Sequence, residues 1–209
     1  MTAANSSKRE NGPIFTSTRF GNVLGSNGSV IPIFHNQVSK GGPVTLTDKN
    51  MTRFVMSVEE AVELVLNSVI EAKGGEVFVT KMPVMRIEDL AIAMIDELSS
   101  GDINITEIGS KPGEKLYEEL MSDEETRRTI ELDKFFSVLP AFRGIYSDID
   151  YNYTTMVSEF VEDPYVSEQQ TSLTVKEVKN FLNDNNLLSG SSNDTGDARY
   201  WPGDKEEKS

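Results

Sequence analysis

The chain has 209 residues, 37% of them hydrophobic, with 20 Lys and Arg against 34 Asp and Glu, a net charge of −14. That length suits one compact domain plus a tail, and the acidity argues against nucleic acid or an anionic membrane surface as a partner, since both are bound through clustered Lys and Arg. With no cysteine and one histidine, disulfide scaffolds, thiolate nucleophiles and multi-histidine metal sites are excluded.

Residues 1–13 are polar and read as an arm or the truncated end of a helix. They lack the apolar core of a signal peptide, and no later apolar run reaches the ~18 residues of a membrane span, so the expected location is the cytoplasm. "PIFTSTRF" alternates apolar and polar as a strand does, and the Gly-rich "GNVLGSNGS" follows. "VIPIFHNQVSKGG" predicts a helix with Val30, Ile31, Phe34 and Val38 on one face, Pro32 in its first turn and Gly41 just past its end. "PVTLTD" reads as a second strand.

"SVEEAVELVLNSVIEAKGG" is the clearest helix. Ser57 and Glu60 have capping-box spacing, and Val62, Val65, Leu66, Val69 and Ile70 form the stripe expected to face the core. "EVFVT" predicts a third strand, and "RIEDLAIAMIDELSSG" a helix with Ile87, Leu90, Ala91, Met94 and Leu98 inward. "INITEIG" reads as a short strand, "SKPGEKLYEEL" as a turn feeding another helix, and "KFFSVLP" as a further strand. Beyond Asp148 the pattern weakens until "TVKEVKNFLND", where Thr174 and Glu177 repeat the capping box. Residues 189–209 read as a disordered acidic tail. Alternating strands and helices give an α/β fold. Its four or five expected strands do not obviously complete a sheet, and no Gly-rich dinucleotide fingerprint follows a first strand.

Three segments place glycines and polar groups at element boundaries. In "RFGNVLGSNGS", Asn22 offers an amide and the glycines allow close backbone approach at the end of a strand, where open α/β sheets bind ligands; a self-satisfied turn is the alternative. In "NMTRFVMS", the Arg53 guanidinium suits a phosphate, or a salt bridge with one of the many carboxylates. In "IGSKPGEK", Lys111 and a helix start would favour an anion, though such a turn is also common in solvent. His35 is expected at the surface or half-buried, without a catalytic role. Tyr146, Tyr151, Tyr153 and Tyr165 have no lysine three or four residues downstream, so the Tyr/Lys pair of reductase-type sites is absent.

Taken in order, "TRFGNVLGSNGSVIPIF", "GGPVTLTDKNMTRFVMSVEEAVELVL", "GEVFVTKMPVMRIEDLA" and "IGSKPGEKLYEEL" resemble the carboxyl-terminal half of CapD-like polysaccharide biosynthesis proteins. These are nucleotide-sugar 4,6-dehydratases of the inverting UDP-N-acetylglucosamine type, in the extended short-chain dehydrogenase/reductase superfamily. The resemblance runs from about Ile14 to Leu139, with a weaker echo to about Leu188. It implies an incomplete Rossmann-type fold: a nucleotide-sugar-binding part over 14–188, without the dinucleotide-binding half and without the catalytic Tyr and Lys that the family carries ahead of this segment.

By the same resemblance, Asn22 contacts the diphosphate or sugar of a UDP-sugar and Arg53 holds the diphosphate. Thr45 and Leu46, within the segment 43–47, run beside the uracil, and Phe20 and Gly21 lie near the nicotinamide. The family's "RPGEKLHE" stands here as "KPGEKLYE". Lys111 thus replaces a phosphate-gripping arginine and Tyr117 a histidine, while Glu114 is retained, and Lys111 and Glu114 are expected on the wall opposite Arg53 and Asn22. The implied cofactor is NAD or NADP in the full-length family, with none expected to bind this chain alone. The implied partners are a UDP-sugar, a separate dinucleotide-binding half and further copies of the chain. No catalytic residue and no metal site is expected within the chain.

Overall fold

The computed structural model describes residues 13–25, 29–110, 113–141 and 148–189. The expected arm at 1–12, Lys111, Tyr146 and all but the start of the expected tail lie outside the described residues. The fold is a mixed α/β one, and its central sheet runs β1-β5-β10-β9-β11. β1 (Ser17–Arg19) pairs in parallel with β5 (Val77–Thr80). β10 (Phe135–Val138), β9 (Thr129–Leu132) and β11 (Met156–Ser158) continue the sheet antiparallel. Successive strand residues point to opposite faces, and here both faces are covered. Phe78 packs with Leu132, Phe135 and Tyr153 on one side, while Val79 and Val138 pack with Phe54, Met121 and Tyr165 on the other.

A second layer surrounds the helices α1 (Val30–Ser39) and α3 (Ile87–Leu98). Ile31, Phe34 and Val38 of α1 meet Leu90, Ala91 and Met94 of α3 in one core, with Val44 and Leu46 of β3 (Val44–Leu46). α5 (Val175–Asp184), capped by Thr174 and Glu177 as expected, closes this core with Val178 and Leu182. β3 pairs in parallel with β7 (Ile105–Glu107). The Gly41 position past α1 has φ +83°, the left-handed conformation that favours glycine.

The helix α2 (Val58–Glu71) forms with its Ser57/Glu60 capping box intact, but its apolar stripe does not face the core. Ser57, Leu64 and Ser68 are buried against the sheet, with Ala61 half-buried between them. Val62, Val65, Leu66, Val69 and Ile70 are instead 46–78% exposed. Periodicity shows that a face is apolar; it does not show what covers it.

The helix expected after "SKPG" does not form. Residues 114–118 are irregular and lead into β8 (Glu119–Met121), which pairs antiparallel with β12 (Tyr165–Val166). Long-range partners claim this backbone: Leu116 O accepts from Thr52 N, Glu118 N donates to Ser167 Oγ and Ser167 N donates to Glu118 O. No intrahelical ladder can form while those groups are engaged elsewhere. The acidic run instead makes the short α4 (Asp123–Thr126), capped by Ser122 and Glu125. β2 (Asn22–Val23), β4 (Thr52–Met56) and β6 (Val84–Arg86) form a further small sheet in the order β2-β4-β6. None of these three was expected, and neither were β9, β11 and β12.

Arg19 at the end of β1 reaches α4. It donates to Glu125 at 2.9 and 3.1 Å and to Leu120 O at 2.5 Å. Burial opposes ionisation of Glu125, but bonds from Arg19 and Ser122 N and the charge of Arg128 outweigh it and hold the carboxyl below its usual range. This pairing stabilises the fold above the ordinary carboxylate pKa and is lost as pH falls through the depressed value.

Candidate functional site

One cleft of about 970 Å³ opens between the two layers. β1 and β2 bring Phe20, Gly21 and Asn22 to one side, and α1 brings Ser29, Ile33 and Phe34. β3 and its exit supply Thr45, Leu46 and Thr47, β4 supplies Arg53, and the loop after β7 supplies Ile108 and Glu114. Every described residue singled out above as a ligand or cofactor contact therefore lines this cleft. Lys111 lies outside the described residues.

β2 and β4 run parallel, with Asn22 opposite Val55, so Asn22 and Arg53 come from neighbouring strands. The chain can pass this closely because residue 21 is glycine. A Cβ there would lie 2.4 Å from Phe54 O and 2.5 Å from Phe54 Cβ, and the Gly21 N–H is directed at Met82 Sδ, 3.4 Å away.

Arg53 combines both alternatives read from the sequence: it lines the cleft, and it is held by protein groups. Nη1 donates to Thr52 O at 2.8 Å, Nη2 to Lys115 O at 2.7 Å, and Nε lies 3.8 Å from Glu118 Oε1. The other Glu118 oxygen accepts from Phe54 N at 3.0 Å. Glu118 thus fixes both the strand and the guanidinium beside it. Sequence reading missed this residue because "GEKLYEEL" looks helical, which would turn Glu118 away from Arg53.

Burial pushes the Glu118 carboxyl above its usual range, against the lowering effects of Phe54 N–H and Arg53. A carboxyl with a raised folded pKa binds its proton more readily when folded, so it loses folding stability as pH rises from the ordinary value through the raised one. Glu118→Gln keeps an acceptor for Phe54 N–H and removes the charge. Urea unfolding of this variant at about pH 4–6 should show a flatter dependence of stability on pH than the parent chain; parallel curves would contradict the assignment.

Around the nucleotide-like segment, Thr45 N–H donates to Gln37 Oε1, and Gln37 Nε2 donates to Thr45 Oγ1. Leu46 O accepts from Ile108 N. These groups shape the wall, and Gln37, which sequence reading did not select, is what orients it. Thr47 Oγ1 donates to Glu114 Oε1 at 3.2 Å. The Ser29 hydroxyl at the start of α1 is shut off from solvent, makes no capping bond and has no partner among the described residues. Phe20, Ile33 and Ile108 leave 39–60% of their surface exposed around the cleft. Arg53 is the cation among the described lining residues.

Tyr151, Tyr153 and Tyr165 lie outside this cleft, and their hydroxyls are engaged by Gly74 O, Ser137 Oγ and Met82 respectively. His35 is half-buried on α1. Among the described residues no group of three or more His, Cys, Asp or Glu could hold a metal ion, and no helix is long and apolar enough to cross a membrane. A dinucleotide's pyrophosphate needs convergent backbone N–H groups at a Gly-rich strand-to-helix turn. At the expected cofactor contact, Phe20 offers a half-exposed ring and the Gly21 N–H is directed at a sulfur. The described residues alone do not fit that cofactor.

A cleft with one cation, an amide and apolar surfaces on a mixed α/β frame is the kind that accommodates a phosphorylated small molecule. Residues 1–140 match the family described as polysaccharide biosynthesis protein. The chain belongs to that family. It is 50% identical over 144 residues to an uncharacterized membrane protein of Methanocaldococcus jannaschii, a match spanning 66% of this chain and 43% of that protein. It is 37% identical to the inverting UDP-N-acetylglucosamine 4,6-dehydratase of Campylobacter jejuni, over 68% of this chain and 41% of the enzyme. It is 39% identical to the UDP-glucose 4-epimerase of Rickettsia rickettsii, over 79% of this chain and 48% of the enzyme. Among solved structures, Pen from Bacillus thuringiensis superposes with a TM-score of 0.73 at 39% identity, covering 84% of this chain and 50% of Pen. The chain spans about half or less of the length of these relatives. The family is one of nucleotide-sugar dehydratases and epimerases in polysaccharide biosynthesis.

Proposed function

We propose that this chain is the nucleotide-sugar-binding part of an NAD(P)-dependent UDP-N-acetylhexosamine 4,6-dehydratase, built on the carboxyl-terminal portion of a Rossmann-type fold and working in the cytoplasm. The observation that carries this reading is the convergence of Asn22, Arg53, the 45–47 segment and Glu114 on one cleft. In it, Arg53, positioned by Glu118, holds the diphosphate by charge-assisted hydrogen bonds. Asn22 binds the diphosphate or sugar from the adjacent strand, and the Ser29 hydroxyl supplies a further polar contact. Thr45, Leu46 and the apolar rim of Ile33 and Ile108 bound the base. Proton transfer to the sugar needs a group within hydrogen-bond reach, and the tyrosines described here are engaged elsewhere. The acid/base pair and the dinucleotide loop belong to the part of the family fold that this chain does not span.

An epimerase of the same superfamily is the second reading, favoured by the extent of the match to the Rickettsia enzyme. The test uses the purified chain with UDP-N-acetylglucosamine, NAD and NADP. Calorimetry should show binding of the UDP-sugar, and no 4-keto-6-deoxy product should form. Such a product from the chain alone would overturn this division of labour, and no detectable UDP-sugar binding would overturn the assignment of the cleft.

A further inference from the structure

We infer that the uncovered apolar face of α2, with the open edge of β1 beside it, is the docking surface for the part of the family fold that this chain does not span. The inference rests on the division of labour proposed above.

The face is continuous. Val58, Val62, Val65 and Val69 recur at i, i+4, i+7 and i+11, the same spacing as the sheet-facing Ser57, Ala61, Leu64 and Ser68 but one residue on. One residue rotates the helix by about 100°, so the exposed stripe borders the buried one. Leu66 and Ile70 widen it, and the six residues are 46–78% exposed. Isolated exposed apolar residues need no explanation, but a contiguous stripe marks an interaction surface. Because it adjoins the sheet-facing stripe, whatever covers it lies in the same layer as α2.

The sheet points to the same occupant. α2 packs beside β1, and β1 is the outermost strand, paired in parallel with β5 on one side and with no strand on the other among the described residues. Parallel sheets are normally continued and covered by further β-α units. Ile14 and Phe15, just before β1, are 61% and 41% exposed. The chain spans only 50% of Pen and 48% or less of the relatives reported above, so about one more chain-half belongs to the same fold.

Charge disfavours the other occupants. Glu59, Glu60, Glu63 and Glu71 lie along the remaining surface of α2, and the chain carries −14. Like charge opposes close approach of a second copy and of an anionic bilayer alike.

The test co-expresses the 209-residue chain with the half of Pen that it does not match, as two polypeptides, and follows assembly by analytical ultracentrifugation. A one-to-one complex is expected. Changing Val65→Glu and Val69→Glu together should weaken it at least tenfold, with UDP-N-acetylglucosamine binding by the chain itself unchanged. Where the Pen half fails to fold separately, the two parts are joined in one polypeptide. Thiol labelling at Val65→Cys, in a chain that otherwise has no cysteine, should then be at least tenfold slower than in the chain alone. Equal labelling rates would overturn the inference. So would dimers of the chain alone that Val65→Glu and Val69→Glu disperse, or binding to phosphatidylglycerol vesicles that those changes abolish. A complex that forms while the chain binds no UDP-sugar would keep the surface and remove the proposed function; the two failures are separable.

Discussion

Gly21→Ala is expected to destabilise the chain severely and to distort the cleft. The new Cβ would sit 2.4 Å from Phe54 O and 2.5 Å from Phe54 Cβ, neither of them the end of a flexible side chain. Phe54 cannot retreat: it is fully buried, its ring stacks on Tyr165 at 4.3 Å, and its N–H is bonded to Glu118. Overpacking of this kind costs about 1–3 kcal/mol where the surroundings adjust, and here β4 must shift. Because Arg53 is the next residue along β4, its guanidinium moves with the strand. Urea denaturation should show a lower midpoint with an unchanged slope; an unshifted midpoint would mean that β2 and β4 are not in contact as described.

Arg53→Ala should lose both stability and ligand affinity, in amounts that can be separated. In the folded chain it strips the donors from Thr52 O and Lys115 O and leaves Glu118 with Phe54 N–H as its remaining printed partner. Leaving buried acceptors unsatisfied costs about 1–3 kcal/mol. On the ligand side, a hydrogen bond to a charged group is worth about 1.5–3 kcal/mol, which is roughly a 10- to 150-fold loss of UDP-N-acetylglucosamine affinity. Arg53→Lys should recover part of the affinity through its charge, without the two-pronged geometry. Titration calorimetry on the variants, below their unfolding midpoints, checks this. A variant that is less stable but binds equally well would make Arg53 a structural ion-pair residue alone.

Local signals were sufficient where neighbours in sequence decide the outcome. The capping boxes at Ser57 and Thr174 and the inward faces of α1 and α3 depend on spacing within one helix, and all form. The failures share one cause, which is partners far away in the chain. "GEKLYEEL" has helical composition, but pairing with Tyr165–Val166 and bonds to Thr52 and Ser167 draw it out into an irregular run and a strand. β4 was hidden between a turn and a capping box, although "TRFVM" carries the β-branched and aromatic residues of a strand. The six unexpected strands are two to five residues long, too short for period-2 alternation to stand out. For the site, the ring of residues came from family likeness; Glu118 and Gln37, which orient it, emerge only when the segments are brought together.

The position of β1 also sets an order of opening. The strand is three residues long and bonds to one neighbour, whereas β5 and β10 are each gripped from both sides. Its contacts reach across sixty residues of chain, as between Thr16 and Glu76, and closing a loop of that size costs about 3–4 kcal/mol of chain entropy. Such an element belongs at the labile end of the local-opening spectrum. Amide hydrogens of β1 should therefore exchange with solvent well before those of β5 and β10. Since Phe20, Gly21 and Asn22 follow directly from β1, each excursion of that strand dismantles one wall of the cleft, and ligand and strand report on one another's occupancy.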